Sequence, residues 1–492
     1  MADRTQVPAW PKDAALLAAL ESWMRDRRWF PLKGDAAPEP GSLSIIGSWE
    51  LAPSVRDLLV SARRTGSRRA APVLMHVPVV LESATELARF AVDGEAPGSE
   101  GVLAPAPDGG QVALVDGAHH PAFWRAWALA ALEAGTTVDP AGTRAIAQRA
   151  QRLRVITGEQ SNTSVVMPAP AEGQEAQGRE DGTTGDVIVK LFRVLAAGRN
   201  PDVEVCVALA HDGWQQVPPP VAWSTLTWSD PDTGQEATTD AAVACAFIPR
   251  ARDGFSLFCD LARQDDTGGP ARRRAIELAT DLGATTARMH AHLASALGTA
   301  DGGRPAELAA GLRRRAAWAL DEVPALIDDL PGLQGRLDAL LADLAALPRL
   351  AAATRVHGDY HLGQVLHTSS AEGHWYVLDF EGEPLRPLAE RSAPDQPARD
   401  VAGMLRSFDY AAAVGRVQDL SWLPAVRAAF LRGYRDAAPP RTPEQERTED
   451  CLLAALEFDK ALYEAVYEAR NRPTWLTIPV NGLKALLAGG ER

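Results

Sequence analysis

The segment His357-Gly358-Asp359-Tyr360-His361-Leu362-Gly363-Gln364, with the Asp379-Phe380-Glu381-Gly382 that follows it, constrains this chain more than any other feature. Four residues separate Asp359 from the amide of Gln364, and the short apolar run Trp375-Tyr376-Val377-Leu378 then delivers Asp379. A single H-x-D arises often by chance. An apolar run into a loop, an amide at the fifth position after the aspartate and a second aspartate ending the next strand form a far more specific combination.

Two carboxylates and an amide on neighbouring turns are oxygen ligands suited to a hard divalent cation. The interval from Asp359 to Gln364 is the one that kinase catalytic loops leave between a base aspartate and a metal-binding amide. Phosphoryl transfer needs a carboxylate to orient the attacking hydroxyl and ligands that hold magnesium against the phosphates. Asp359, Gln364 and Asp379 meet both needs. Gln364 departs from the pattern, which usually carries the shorter asparagine there. The plain alternative is a pair of aspartates that cap local backbone.

Upstream, residues 152–156 and 164–167 read as a hairpin joined by Thr157-Gly158-Glu159-Gln160-Ser161-Asn162-Thr163. Small hydroxyl and amide residues there leave backbone N–H groups free to cradle phosphates, although many such loops are ordinary turns. The run Asp186-Val187-Ile188-Val189-Lys190 ends in a lysine placed as a kinase strand lysine is, able to reach phosphates and pair with a helix glutamate. Glu204 is the expected partner, on a helix that Asn200 caps and Pro201 opens. A surface lysine and a helix-start glutamate are the bland reading. Residues 168–185, rich in Gly, Glu, Gln and Ala, are expected to form a mobile insertion. The run 241–249 predicts a buried strand ended by Pro249, with a hinge where backbone groups around Ile248 would read adenine.

At 492 residues the chain is expected to hold two or three domains. Helical spacing over 14–29, then short apolar runs between Gly, Pro and Asp clusters over 44–125, predict an N-terminal α/β cap at 1–148. A sheet lobe at 149–250 and a helical lobe at 251–492 follow, with helices at 271–297, 305–320, 333–346, 398–413, 422–436 and 446–470. The fold class is α+β, bilobal and protein-kinase-like. With 64 acidic against 50 basic residues the net charge is −14, which argues against nucleic-acid binding. No apolar run reaches membrane-spanning length, and Cys206, Cys245, Cys259 and Cys451 lack metal or framework spacing, so a cytoplasmic chain with reduced thiols is expected.

On the helix over 452–470, Tyr463 and Tyr467 are four apart, as are Glu464 and Glu468, so an aromatic row runs beside a carboxylate row. Such a surface suits a sugar, with Trp475 closing the groove. A packing helix whose glutamates pair with Lys460, Arg470 or Arg472 is the equal alternative. Asp400 and Arg406 are expected in structural pairs, and His357 as a brace for the loop backbone.

These motifs resemble the aminoglycoside and choline phosphotransferase group, in which H-G-D and a later D-F/W carry the chemistry. Segments 159–165, 357–366, 379–408 and 459–475 are similar to the actinobacterial maltokinase family, a likeness spanning roughly residues 150–485. The resemblance implies transfer of the ATP γ-phosphate, with Mg2+, to the anomeric hydroxyl of maltose for α-glucan synthesis. It makes Asp359 the base, Gln364 and Asp379 the metal ligands and Lys190 the phosphate lysine. Gln160, Ser161, Asn162, Thr163 and Ser164 become the phosphate loop, and His361 and Glu381 join Tyr463, Glu464, Tyr467 and Trp475 around the acceptor. Association with a trehalose-converting enzyme is also implied. Pro31-Leu32 and the long insertion depart from the family pattern. A kinase for an aminosugar such as glucosamine, or for an aminoglycoside, stays open because an acidic groove welcomes an ammonium group. A nucleotide-binding pseudokinase scaffold is opposed by the intact Lys190, Asp359 and Asp379.

Overall fold

Alternating apolar runs between turn residues fold here as antiparallel strands, and the longer 3.6-period stretches as helices. The computed structural model describes all residues except 1–7, 34–37, 39–40, 64–71, 92–95, 157–161, 171–184, 370–372, 384–385 and 489–492. Most of the expected insertion thus lies outside the described residues. Two units result, Met1–Val207 with Pro218–Pro249, and Ala208–Val217 with Arg250–Arg492.

The first unit holds two antiparallel sheets. One runs in the order Ser44–Ala52, Val55–Ala62, Val73–Ser83, Gln111–Asp116, Gly101–Pro105, and the helix Asp13–Met24 buries Leu16, Leu20, Trp23 and Met24 against it. The other orders Pro220–Ser229, Glu236–Ala246, Val187–Phe192, Asn162–Met167 and Arg154–Ile156. Helix Pro121–Ala134 sets Phe123, Trp124 and Trp127 in one core with Val55 and Val80 of the first sheet and Val165, Val187 and Val189 of the second. The cap expected at 1–148 and the lobe that follows it therefore share apolar packing.

A buried cation also links them. Arg193 donates to Asp116 Oδ2 at 2.6 Å and to Thr163 Oγ1 at 2.8 Å, while its guanidinium lies 4.6 Å from the Trp29 ring. These contacts offset the cost of burying the charge, and they give the Arg28-Trp29-Phe30 element a structural task.

In the second unit the main helices are Pro270–Leu297, Pro305–Glu322, Leu333–Ala345, Ala398–Gly415, Trp422–Ala437 and Pro443–Asn471. The last begins before residue 446 because Thr442 and Gln445 form a capping box with Pro443 at the first position. Two glycines let Pro270–Leu297 and Trp422–Ala437 touch backbone to backbone. A Cβ at Gly433 would stand 1.9 Å from the Thr280 carbonyl oxygen, and one at Gly283 2.0 Å from that of Phe430. Gly433→Ala is therefore expected to lower unfolding free energy by about 1–3 kcal/mol, although alanine is the better helix former. Urea unfolding measures this, and an unchanged midpoint would contradict the close packing.

All four cysteines are free, and no helix among the described residues is long and apolar enough to cross a membrane.

Candidate active site

The register of one hairpin assembles the expected metal ligands. Strands Val365–Thr368 and Trp375–Val377 pair with Val365 opposite Val377, so Gln364 and Leu378 come next, and Leu378 N donates to Gln364 O at 2.9 Å. Asp379 follows with φ at 60°, a left-handed conformation that aspartate tolerates better than most residues. There its Oδ2 accepts from Gln364 Nε2 at 3.1 Å. A carboxylate and an amide oxygen on adjacent side chains are a donor set that fits Mg2+.

The loop carrying Asp359 is held from beneath by Asp400, on the helix Ala398–Gly415. This buried carboxylate accepts from His357 N at 2.8 Å, Gly358 N at 2.9 Å and His290 Nε2 at 3.1 Å. Burial by itself raises its pKa, but His290, His357 and the Gly358 N–H together hold it below the usual carboxylate range. His357 Nε2 donates to Leu378 O at 2.8 Å, and its Nδ1 accepts from Asp359 N at 3.4 Å. His357 thus ties the Asp359 turn to the residue before Asp379, bracing backbone as expected. Gly403 allows this closeness, since a Cβ there would lie 2.6 Å from Tyr360 O.

The Asp359 side chain is 27% exposed, with His361 Nε2 4.0 Å from Oδ2. Burial holds the His361 imidazole below its ordinary pKa, against the upward pull of Asp359. Lys460 Nζ lies 3.7 Å from Asp359 Oδ1, a neighbour that the sequence reading missed. The same ammonium sits 5.5 Å from the Tyr463 ring, three residues along Pro443–Asn471. Tyr463 hydrogen-bonds Glu383, and burial first, then that carboxylate, push its hydroxyl up to about 12. The i, i+3 spacing of Lys460 and Tyr463 was the available signal.

The row expected from Glu464 and Glu468 is engaged by other side chains of the helical unit. Glu464 accepts from Arg406 at 2.9 Å, and Glu468 accepts from Tyr410 and Arg472. Tyr467 and Trp475 gather around the Arg472 guanidinium, at 5.4 and 4.5 Å. Glu464, expected at the acceptor, is 13% exposed and pairs with the buried Arg406: the helix Ala398–Gly415 brings Arg406 against that face, and a buried guanidinium must be paired. Glu381 lies on the Asp379 turn, its carbonyl accepting from Arg391.

In the first unit, Lys190 sits across from Ser164 on one strand and Val243 on the other. Its Nζ is 3.1 Å from Asp202 Oδ2. Asp202, two residues before the expected Glu204, is a carboxylate placed at the lysine in that first helical turn. Asn200 caps this turn through Asp202 N at 2.9 Å. Thr163 is held by Arg193, Asn162 begins its strand, and Ile248 lies half-buried after Glu236–Ala246. Gln160 and Ser161 fall outside the described residues.

A glucosamine kinase of Streptacidiphilus jiangxiensis is 31% identical over 375 residues, covering 72% of this chain and 76% of that protein. One of Mycolicibacterium smegmatis is 30% identical over 369 residues, covering 70% and 82%. A solved glucosamine kinase in complex with glucosamine, ADP and inorganic phosphate matches 98% of this chain and 100% of its own, with TM-score 0.62 and 23% identity, which shows the kinase-like fold. Residues 169–444 match the model of the phosphotransferase enzyme family. With two relatives at this identity and that model spanning more than half its length, the chain belongs to the phosphotransferase enzyme family.

Proposed function

We propose that this chain transfers the γ-phosphoryl group of ATP to a hydroxyl of a sugar. The observation that carries the reading is the Gln364 amide 3.1 Å from the Asp379 carboxylate, on a hairpin that His357 ties to the Asp359 turn. Asp359 orients the attacking hydroxyl and accepts its proton, and Lys190, steadied by Asp202, reaches the nucleotide phosphates. Gln364 and Asp379 would hold Mg2+, which neutralises charge on the phosphate oxygens when bound. Lys460 offers positive charge beside the attacking oxygen. Asn162, Thr163 and Ser164, with Gln160 and Ser161, are the proposed phosphate loop, and Ile248 the adenine contact.

Two acceptors have specific support. Both relatives are glucosamine kinases, which puts glucosamine first. Maltose is favoured by the likeness of segments 379–408 and 459–475 to maltokinase and by Lys460, whose ammonium disfavours a second one beside Asp359. A trehalose-converting partner belongs to the maltose reading alone. The test is ADP release with ATP and Mg2+ across glucosamine, maltose and an aminoglycoside, with identification of the phosphorylated carbon. Turnover of one sugar is expected. ADP release with none of them would reject the kinase reading in favour of a nucleotide-binding scaffold.

A further inference from the structure

The helical unit holds a cleft of about 730 Å³ that none of the residues proposed for catalysis lines. Its walls are nonetheless the elements that carry the Asp359 loop. Residues 348–352 form one wall, and from them the chain runs through the strand Ala353–Thr354 directly into that loop. Gln396, Pro397, Ala398 and Val401 form a second wall, on either side of Asp400, and Gln396 ties the two by donating to Ala351 O at 3.1 Å. Tyr434 of Trp422–Ala437 and Leu452 of Pro443–Asn471 complete it. A row of hydrogen bonds also leads from this cleft to the loop. Arg441, on the cleft wall, bonds the Tyr434 hydroxyl, which donates to His290 Nδ1 at 2.9 Å. His290 Nε2 donates in turn to Asp400, the carboxylate that holds the N–H groups of His357 and Gly358. Tyr434 and His290 are both buried, so water does not compete for these bonds.

The lining selects among ligands. Leu350, Val401, Tyr434 and Leu452 make an apolar floor, and Pro439 and Pro440 extend it without adding N–H donors. Two of the three guanidiniums are countered, Arg441 by Glu449 and Arg435 by Asp450, each at 2.6 Å. Arg349 is exposed and, among the described residues, forms no ion pair. Glu444, the carboxylate left over, sits in the first turn of Pro443–Asn471, where the helix dipole answers its charge. An uncountered planar guanidinium beside an apolar floor suits a ligand with an apolar body and one carboxylate, which the guanidinium can bind through two parallel hydrogen bonds.

We propose that this cleft is a regulatory site for a small molecule with an apolar body and one carboxylate, and that filling it steadies the Asp359 loop through Tyr434 and residues 348–352. Octanoate is the probe, with octanol as its uncharged counterpart. Titration calorimetry is expected to show one octanoate site in the wild-type protein. Replacing octanoate by octanol, or the exposed arginine through Arg349→Ala, should each weaken binding about tenfold. Hydrogen exchange of the loop, followed by mass spectrometry on a peptide containing His357 and Gly358, should slow about fivefold at saturating octanoate. Tyr434→Phe keeps the ring in the cleft and removes the hydroxyl, so it should bind octanoate and lose most of that slowing. No octanoate binding, or equal affinity for octanol or in Arg349→Ala, would overturn the site. Binding with unchanged loop exchange, or full slowing in Tyr434→Phe, would overturn regulation through Tyr434. The effect on turnover, a rise in kcat of at least about twofold, rests on the sugar-kinase reading, and an unchanged kcat at full occupancy would overturn the regulation as well. Binding and exchange need no sugar. Slowed exchange in a protein that phosphorylates none of the tested sugars would therefore keep the site and reject the kinase reading, and turnover without octanoate binding would do the reverse.

Discussion

Asparagine in place of Asp359 is expected to lower kcat by about 10²–10⁴-fold, the usual worth of a positioned general base, while ATP binding changes by less than about twofold. The substitution keeps the shape of the side chain and removes its charge. The bond from its backbone N–H to His357 Nδ1 is unaffected, so the turn stays in place. Its side-chain pairing is weak: Lys460 is 3.7 Å away, both groups are more than a quarter exposed, and such a pair contributes about 0–1 kcal/mol. The unfolding midpoint should therefore hardly move, and a lost rate can be assigned to chemistry. Stopped-assay kcat and nucleotide titration on the same preparation check this. A rate near wild type would remove Asp359 as the base, and a parallel loss of ATP affinity would move it to the nucleotide.

The parts of this site legible from sequence are those fixed within a few residues along the chain. A hairpin's register is local, so an amide before one strand and an aspartate after the next must meet, and Gln364 and Asp379 do. Lys190 was legible as the lysine closing an apolar run, although the strand itself continues to Phe192. Its carboxylate neighbour was harder, because Asp202 and Glu204 both sit in the first turn, and it is packing against the sheet that sets Asp202 at the lysine. The acceptor helix shows the limit most clearly. Its polar rows were correctly spaced, but a pattern on one helix does not say which row meets another helix. Arg406, 58 positions before Glu464, turned the carboxylate row inward, and Lys460 came to Asp359 from a helix about a hundred residues downstream. The pairing of Arg193 with Asp116 is also long-range, at 77 positions.

The second large effect is expected at Asp400, which touches neither hydroxyl nor phosphate and acts as a positioning residue. Its two oxygens receive three donors, two of them backbone N–H groups of the loop that carries Asp359. An asparagine side chain at this position would offer one oxygen and turn an NH2 group toward donors. A buried donor left unmatched costs about 1–3 kcal/mol, and the loss of the carboxylate facing His290 adds to this. Asp400→Asn should thus lower unfolding free energy by about 2–4 kcal/mol and kcat by about 10²-fold, since a shift of about 1 Å in a reacting group costs that much. The pH dependence separates positioning from general damage. Because the folded-state pKa of Asp400 lies below its unfolded value, its contribution is fully present above about pH 4 and is lost as pH falls through the folded pKa. Wild-type stability should therefore fall more steeply in acid than that of Asp400→Asn, and the two unfolding free energies should converge as pH drops. Parallel acid profiles, or full kcat in the variant well below its melting temperature, would show that the loop is held by something other than this carboxylate.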